Sequence, residues 1–387
     1  MPSYPKYRGA STAEVVIIGG GLTGCATAYA LSAAGVKAIV LEAEQIGRGT
    51  TAASAGWMGD DPGVGFAELE KALGLRDARR GWQAWHRAGL DFAALLRRLN
   101  VKCALEPLGS TTAARSPEQA QQLKREQKAR RAAGIDAPLL NARAISGELG
   151  FSALAGIRAR DGATIDPYRA AVGLAHAAIE RGARLFERSP AMRITFGRRD
   201  AEVHTPGGRI RTTRVVVATA GPTALFKGLR RHFWFRRSYS ALTAPVPARI
   251  RQSLGRRDAV VRDSANPPHI VRWVDGERLL VTGADSESPP DRQRDKVIVQ
   301  RTGQLMYELS TLYPEISGIA PDYGWDAAYA RTEDGLPYIG PHRNYPHHLF
   351  AFGDSSHTVT GAYLASRVLL HHHLDQLEPA DEVFGFR

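Results

Sequence analysis

The residues that first suggest chemistry are three glycines and an acid near the amino terminus. Gly19, Gly21 and Gly24 follow the apolar run Val15–Ile18, and Glu42 ends the next apolar run. Glycines at this spacing let the backbone approach a pyrophosphate, and an acid about twenty residues later accepts hydrogen bonds from ribose hydroxyls. That acid would repel a 2′-phosphate, which argues against NADP. The spacing therefore predicts a dinucleotide site.

Local signals predict the strand, helix and strand that would position these residues. The β-branched run Val15–Ile18 suits a strand that is buried on both faces. A helix is expected from about Thr23 to Ala34, ending at Gly35, with a second strand over Val36–Leu41. The helix N-terminus would present N–H groups and partial positive charge to a phosphate. A loop of small and hydroxyl residues at 47–58 is expected to lie against the same ligand.

The order of later elements predicts two domains in a discontinuous arrangement. Helices are expected over 66–99, 116–133 and Tyr168–Arg181, and short strands over 184–186, 192–196, 201–204 and 209–211. Arg214–Pro222 is another buried strand that returns to the first sheet, and 232–325 predicts a mostly antiparallel second layer. A last helix is expected over Gly361–His371. We expect an α/β fold: a Rossmann-like domain of residues 1–65, 145–225 and 326–387, with an α+β substrate domain of residues 66–144 and 226–325.

The composition restricts the class of protein. The 387 residues exceed one ordinary domain, and two cysteines, Cys25 and Cys103, do not make a disulfide framework. The net charge of +12 comes from scattered arginines, so we do not expect a nucleic-acid partner. No His/Cys spacing predicts a metal site. The amino terminus lacks the apolar core of a secretory signal, and no run approaches the ~20 apolar residues of a membrane span. We therefore expect a soluble, cytoplasmic chain with no membrane partner.

Four blocks carry a resemblance to a known family. They read VVIIGGGLTG with Glu42, GRGTTAASAGWMG, RVVVATAGP, and TEDGLPYIGP followed by LFAFGDSSHTVTG. In this order they resemble the D-amino-acid-oxidase-like (DAO) superfamily of FAD-dependent amine and amino-acid oxidoreductases. The second block is similar to the glycine-oxidase branch. The resemblance covers nearly the whole chain and implies FAD, bound non-covalently because neither cysteine occupies the family's covalent position.

The resemblance also implies which residues contact FAD. The glycines would hold the pyrophosphate, Glu42 the adenosine ribose, and Ala191 the adenine, while the turn from Gly353 to Thr360 would wrap the flavin ring. There the N-terminus of the last helix would stabilise the reduced, anionic flavin. The full set is Gly19, Gly21, Leu22, Thr23, Gly24, Glu42, Ala43, Arg48, Gly49, Thr50, Thr51, Ala55, Gly56, Trp57, Ala191, Ala220, Gly221, Gly353, Asp354, Ser355, Ser356, His357, Thr358, Val359 and Thr360.

The substrate side departs from the glycine-oxidase pattern. Two arginines that clamp the substrate carboxylate in that branch fall on Tyr329 and Ser356, and neither forms a bidentate charged pair. Arg331 lies on the same face of a strand as Tyr329 and would substitute for them. Otherwise the substrate is an amine or a substituted amino acid. The flavin turn also carries Asp354, Ser355, Ser356 and Thr358 where relatives have glycines.

Further residues are expected near the reacting atoms. Tyr239, His269 and Arg272 lie in the second domain at positions expected to face the flavin and contact substrate, together with Tyr329 and Ser356. His357 in the flavin turn would accept a proton or hydrogen-bond the flavin edge. Tyr329, Arg331 and His357 are thus the candidate catalytic residues.

The expected reaction is oxidation of a C–N bond in a small amine or amino acid. The resemblance implies hydride transfer from the carbon beside a neutral amine to flavin N5, followed by hydrolysis of the imine. Oxygen or another acceptor would then take the electrons. The substituted turn leaves open a flavin-binding protein with little turnover. A flavoenzyme acting on an RNA-linked amine and an NAD-dependent dehydrogenase are further alternatives, although the latter gives the C-terminal flavin block no role.

Overall fold

The computed structural model describes residues 3–265, 268–353 and 359–387. In chain order its strands are β1 (Gly9–Ile18), β2 (Ala38–Leu41), β3 (Trp57–Met58), β4 (Glu106–Pro107), β5 (Gly109–Ala114), β6 (Leu139–Asn141), β7 (Ala155–Ala159), β8 (Ala163–Thr164), β9 (Arg184–Phe186), β10 (Arg193–Phe196), β11 (Ala201–Thr205), β12 (Gly208–Ala220), β13 (Trp234–Thr243), β14 (Ala259–Asp263), β15 (Ile270–Val274), β16 (Arg278–Ser286), β17 (Pro321–Arg331), β18 (Tyr338–His342) and β19 (Tyr345–Phe352). The α-helices are α1 (Leu22–Ala33), α2 (Thr50–Ala53), α3 (Phe66–Arg98), α4 (Pro117–Ala132), α5 (Ala142–Leu149), α6 (Pro167–Ile179), α7 (Ala248–Arg251), α8 (Arg294–Leu312) and α9 (Thr360–Leu374).

The first sheet carries the predicted strand–helix–strand unit. Its order is β10-β11-β12-β1-β2-β9, with β19 beside β12 and β18 beside β19. β1 is parallel to both β2 and β12. Alternate residues of β1 enter different cores: Val15 and Ile17 pack with α1, α6 and α9, whereas Val16 and Ile18 pack with the phenylalanines of β19. Burial on both faces is what the continuous β-branched run predicts.

The return to the first sheet is confirmed, with one difference in the strand bounds. The two expected strands at 209–211 and 214–222 are a single strand, β12. Its first residues, Gly208–Thr212, pair with β11 as a hairpin, while Gly208–Val217 also runs beside β1. The neighbour on each side keeps the chain extended, so the polar residues at 212–214 do not interrupt the strand. The α/β fold class is confirmed.

The second sheet is mostly antiparallel, as expected. Its order is β17-β13-β16-β15-β14-β5-β7-β6, and the pair β14 and β5 is parallel. Helix α8 covers one face, where its Leu305 and Leu309 join a buried cluster with Tyr239 and Val281. The other face is directed toward the loop that follows β2, because Trp325 of β17 donates from Nε1 to the Ala53 carbonyl over 2.9 Å.

Four strands within the ranges expected for the first domain lie outside the first sheet. β3 and β8 form a small third sheet with β4, and β7 and β17 join the second sheet. β7 falls within 145–225, yet it pairs with β5 and β6 of the second sheet. β17 crosses position 326 and pairs with β13 over its whole length. Strand pairing is set by main-chain hydrogen bonds between neighbouring strands. The order of residue types along the chain does not reveal which strands are neighbours. Sheet membership does not define folding units, so the domain ranges stay a prediction.

None of the helices in the described part combines the length and apolar character that crossing a membrane requires. Nor do His, Cys, Asp and Glu side chains among these residues gather into a group of three or more that could hold a metal ion. Cys25 and Cys103 are both buried free thiols.

Candidate active site

A cleft of about 570 Å³ opens where β1 and β2 meet the N-terminus of α1. Four segments distant in sequence form it: the glycine turn after β1, the residues after β2, Pro190–Met192, and the end of β12 with the turn that follows it. Its walls include twelve of the residues implied for FAD, namely Gly19, Gly21, Leu22, Thr23, Glu42, Ala43, Arg48, Gly49, Thr50, Thr51, Ala191 and Ala220. Ligands of open α/β sheets bind at this end of the strands.

The glycines allow the helix to start directly on the strand. Gly19 has φ 106°, and a Cβ there would lie 2.5 Å from the Ala218 carbonyl oxygen. A Cβ on Gly24 would lie 1.9 Å from the Gly19 carbonyl oxygen. No larger residue fits either position without moving the backbone, so the turn keeps α1 against the sheet and its N-terminus at the cleft.

Glu42 both lines the cleft and fixes its shape. One carboxylate oxygen accepts from the Gly20 N–H over 2.7 Å, and the other accepts from the Glu44 N–H over 2.8 Å. The hydroxyl of Thr51 similarly accepts from the Leu22 N–H over 2.9 Å. Each carboxylate oxygen retains a lone pair for a further donor, such as a ribose hydroxyl.

A narrower cavity of about 80 Å³ extends the cleft to the second sheet. It shares Leu22, Thr23, Thr50, Thr51 and Ala220 with the cleft. Its far wall is β17, through Ala327 and Tyr329, and the start of α9, through Val359 and Gly361. The path thus runs from the nucleotide side of the first sheet to the predicted substrate side of the second.

The loop from Ala55 to Gly59 connects these regions through its carbonyl groups. The Trp57 carbonyl accepts from the Val359 N–H over 2.9 Å, and the Gly59 carbonyl accepts from the Thr360 hydroxyl over 2.8 Å. Arg272, expected to contact substrate, instead donates from Nε to the Ala55 carbonyl over 2.8 Å. Burial lowers the pKa of Arg272 to about 10, which still leaves it charged at neutral pH. Its contact holds the loop and does not line either part of the cleft.

Tyr329 meets an acid on the wall of the second sheet. Its hydroxyl donates to the Asp285 carboxylate. Burial, and next the negative charge of Asp285, raise the pKa of Tyr329 well above its ordinary value, so it stays protonated. The positive charges of Arg331 and Arg236 oppose this shift. Tyr329 and Asp285 therefore form a neutral donor beside an acid, at the cavity that reaches the cofactor cleft.

A separate cavity of about 550 Å³ lies beyond Tyr329. Arg331 lines it, as do Asp61 and Arg262, which form a bidentate ion pair with distances of 3.0 and 2.6 Å. Arg130 and Glu126 form a second ion pair on its wall, 2.6 Å apart. Strand alternation predicts Arg331 on the same face of β17 as Tyr329. Arg331 lines this cavity, and Tyr329 lines the narrower one.

Two of the expected substrate residues, Tyr239 and His269, lie on the opposite face of the second sheet from Tyr329. Tyr239 is 1% exposed and shares the buried cluster of α8. His269 lies between Asp263, 2.7 Å from Nδ1, and Glu308 of α8, 3.1 Å from Nε2. The expectation that they face the flavin is therefore wrong, because both side chains lie on the face of the sheet that α8 covers.

Several implied residues lie beside the cleft or outside the described residues. Gly56 has φ 67°, and a Cβ there would lie 2.1 Å from the Ile165 carbonyl oxygen. Neither Gly56 nor Trp57 is among the residues that line the cleft or its narrower extension. A Cβ on Gly221 would meet Ala330. Gly353 ends β19 with φ 85°. Asp354, Ser355, Ser356, His357 and Thr358 lie outside the described residues, so their predicted contacts stay predictions.

Comparison with known proteins identifies the family. Residues 14–371 match the family model DAO, described as FAD dependent oxidoreductase. The chain belongs to the DAO family. It is 24% identical over 373 residues to the probable oxidoreductase OrdL of Haemophilus influenzae, covering 95% of this chain and 84% of that one. It is 25% identical over 366 residues to gamma-glutamylputrescine oxidoreductase of Escherichia coli, covering 92% and 83%. Glycine oxidase from Geobacillus kaustophilus shares the fold, with a TM-score of 0.76 at 20% identity over 95% and 96% of the two chains.

The cleft fits the FAD of a DAO-family oxidoreductase. Glycines that admit no Cβ bring the backbone and the N-terminus of α1 to the position of a pyrophosphate. Glu42 supplies a carboxylate for ribose, and Thr50 and Thr51 continue toward the second sheet. FAD is the cofactor of this DAO-family chain, and we propose that these residues hold it.

Three residues of this DAO-family site were missed in the sequence: Asp285, Asp61 and Arg262. Asp285 follows Gly283 and Ala284, and Ala284 has φ 51° beside a register shift between β13 and β16. A glycine inside a strand signals such a bulge, which changes the face that the next side chain occupies. Asp61 and Arg262 are 201 residues apart, and no local pattern links them.

Proposed function

We propose that this DAO-family oxidoreductase oxidises a C–N bond of an amine or a substituted amino acid. In the proposed reaction the C–H bond beside the nitrogen breaks, hydrogen and two electrons leave together, and water hydrolyses the resulting imine to a carbonyl compound and an amine or ammonia. FAD supplies the two-electron acceptor. The protein supplies binding, orientation and a water-poor wall.

The observation that carries this proposal is the Tyr329–Asp285 pair. The cavity lined by Tyr329 shares residues with the cofactor cleft, which supports our proposal that this pair lies beside the reacting end of a bound substrate. Tyr329 remains a neutral hydroxyl because its pKa is raised, and it can accept a hydrogen bond from an amine while donating to Asp285. Asp285 adds negative charge that favours an approaching ammonium group.

A carboxylate clamp at this position is not available from Tyr329. Arg331, two residues further along β17, lines the larger cavity and is the residue we propose to hold an acidic group of the substrate. It would do so at about 7 Å along the strand from Tyr329, which favours an acidic group remote from the amine over free glycine. The E. coli relative's name, gamma-glutamylputrescine oxidoreductase, supports an amine substrate.

Anaerobic reduction of the purified flavoprotein tests the reaction. The protein is mixed with primary amines, secondary amines, N-methyl amino acids, D-amino acids and glycine, and bleaching of the flavin absorbance is followed. We expect amines to reduce the flavin faster than glycine does. Fastest reduction by glycine would refute the interpretation of Tyr329, and no reduction by any compound would instead support a flavin-binding protein with little turnover.

Tyr329→Phe tests the site itself. It removes the hydroxyl and keeps the ring, so we expect the rate of flavin reduction by the best amine to fall about tenfold, the effect of roughly one hydrogen bond. Tyr323→Phe is the matched control, because Tyr323 lies on the same strand and is 62% exposed. Equal rates for wild type and Tyr329→Phe would remove Tyr329 from the site.

A further inference from the structure

Arg262 of β14 makes a set of contacts that joins the second sheet to the loop after β3. Its two terminal nitrogens donate to the two carboxylate oxygens of Asp61 over 3.0 and 2.6 Å. One of them also donates to the Thr112 hydroxyl over 3.1 Å. The side chains of Arg262 and Asp61 are 8% and 2% exposed, so solvent does not screen this pair.

The same guanidinium touches the other end of that loop. It lies 4.7 Å from the centre of the Trp57 ring, within the range of a cation–π contact. The Trp57 and Gly59 carbonyls accept from Val359 and Thr360 at the start of α9. Arg262 therefore holds both ends of the segment Trp57–Asp61, and this segment holds the N-terminus of α9.

Further charges around the pair keep it ionised despite its burial. Arg130 lies 3.8 Å from Asp61 and is paired with Glu126, whose carboxylate accepts from the Phe66 and Ala67 N–H groups. The neighbouring arginines hold the pKa of Asp61 below its ordinary value, although burial acts to raise it. A buried ion pair of this kind gives fixed geometry more than it gives stability.

We propose that Arg262 and Asp61 are a positioning pair: they set how the segment Trp57–Asp61 seats on the N-terminus of α9, and thereby the affinity and electronic environment of FAD. The inference rests on the proposed placement of the flavin beside α9. The helix N-terminus carries partial positive charge that acts within its first turn. Displacement of the segment Trp57–Asp61 from Val359 and Thr360 would therefore change both the fit of the flavin ring and the charge that this ring meets.

The test compares Asp61→Asn with Asp326→Asn. Asp326 is a matched control because its side chain is 1% exposed and paired with Arg237 and Arg294, but it lies on the face of the sheet that α8 covers. Apoprotein of each variant is titrated with FAD, and the dissociation constant, visible flavin spectrum and unfolding midpoint are measured. We expect both variants to lower the unfolding midpoint. Only Asp61→Asn should raise the FAD dissociation constant at least tenfold and shift the flavin bands.

Arg262→Lys decides the question if Asp61→Asn does not fold. Lysine keeps the charge but cannot pair bidentately or stack on Trp57 in the same way. We expect it too to weaken FAD binding at least tenfold. The proposal is overturned if these variants bind FAD within twofold of wild type with unchanged spectra, or if Asp326→Asn weakens binding equally. Since no substrate is used, failure of the proposed amine oxidation would leave this result unaffected.

Discussion

The nucleotide cleft and the wall of the second sheet are built in different ways. The cleft is formed mostly by backbone groups, small residues and two acids within the first fifty-one positions, together with Pro190–Met192 and the end of β12. The wall is formed by side chains such as Tyr329, Asp285 and Arg262, contributed by different strands. A site built from backbone groups can be predicted from the sequence, because it needs glycines at fixed spacing. A side-chain wall depends on which face of each strand a residue occupies.

The largest expected effect concerns the backbone-built region. Gly24→Ala places a Cβ 1.9 Å from the Gly19 carbonyl oxygen, so the strand and helix must separate. We expect the free energy of unfolding to fall by about 3 kcal/mol and the purified protein to retain little FAD. Differential scanning calorimetry and the ratio of flavin to protein absorbance measure the two effects.

Gly35→Asn is the matched control for Gly24→Ala. Gly35 follows the same helix at φ 84°, a Cβ there would meet no heavy atom within 4 Å, and asparagine tolerates this conformation. Near-normal FAD content is expected. If Gly24→Ala also kept its FAD, close packing of α1 would not be what forms the cleft.

Glu42→Gln tests the acid of the cleft whose carboxylate accepts hydrogen bonds from the main chain. The amide nitrogen would replace one oxygen that accepts from the Gly20 or Glu44 N–H, and the negative charge would be lost. Hydrogen bonds to charged groups are worth about 1.5–3 kcal/mol, so we expect FAD affinity to fall by about tenfold or more. Titration of apoprotein measures this, with Glu180→Gln, an exposed acid away from the cleft, as the control. Equal affinities for the two variants would contradict a role for the Glu42 carboxylate.

Asp60 lies in the loop after β3, next to Asp61, and gives a pH-dependent prediction. Burial, and next the charge of Asp61, raise its pKa to about 6, and its Oδ1 has no hydrogen-bond partner within the described ranges. Because the folded-state pKa exceeds the ordinary 3.8, the protonated acid contributes stability below pH 3.8 that is lost as the pH rises through about 6.

Asp60→Asn should therefore stabilise the protein at pH 8 by about 2 kcal/mol and have little effect near pH 4. Denaturant unfolding at the two pH values measures the difference. Asp136→Asn, at an exposed site, should show neither effect. Stabilisation that does not change with pH would exclude titration of Asp60 as the cause.

Much of the fold was predictable because its signals are local. The first strand, α1 and the hairpin of β11 and β12 follow from apolar runs, glycines and one turn, all within short segments. The wall was less predictable, since simple alternation along β16 fails at Ala284, where φ is 51°. Asp285 thereby reaches Tyr329, whereas nothing in the sequence shows that Tyr239 and His269 face α8.

The smallest expected effect concerns the two faces of the second sheet, one covered by α8 and the other carrying Tyr329. His269→Asn removes an imidazole whose pKa is raised by its hydrogen bond to Asp263 and by the charge of Glu308. A raised histidine pKa adds stability that is present below about pH 6.5 and is lost as the pH rises above it. The variant should therefore unfold at a lower temperature than wild type at pH 6, with a smaller difference at pH 9.

Because His269 lies on the α8 face, KM and kcat with the best amine should stay within twofold of wild type. A tenfold rise in KM would place His269 at the substrate after all, and would reverse the assignment of faces on which Tyr329 and Asp285 were chosen.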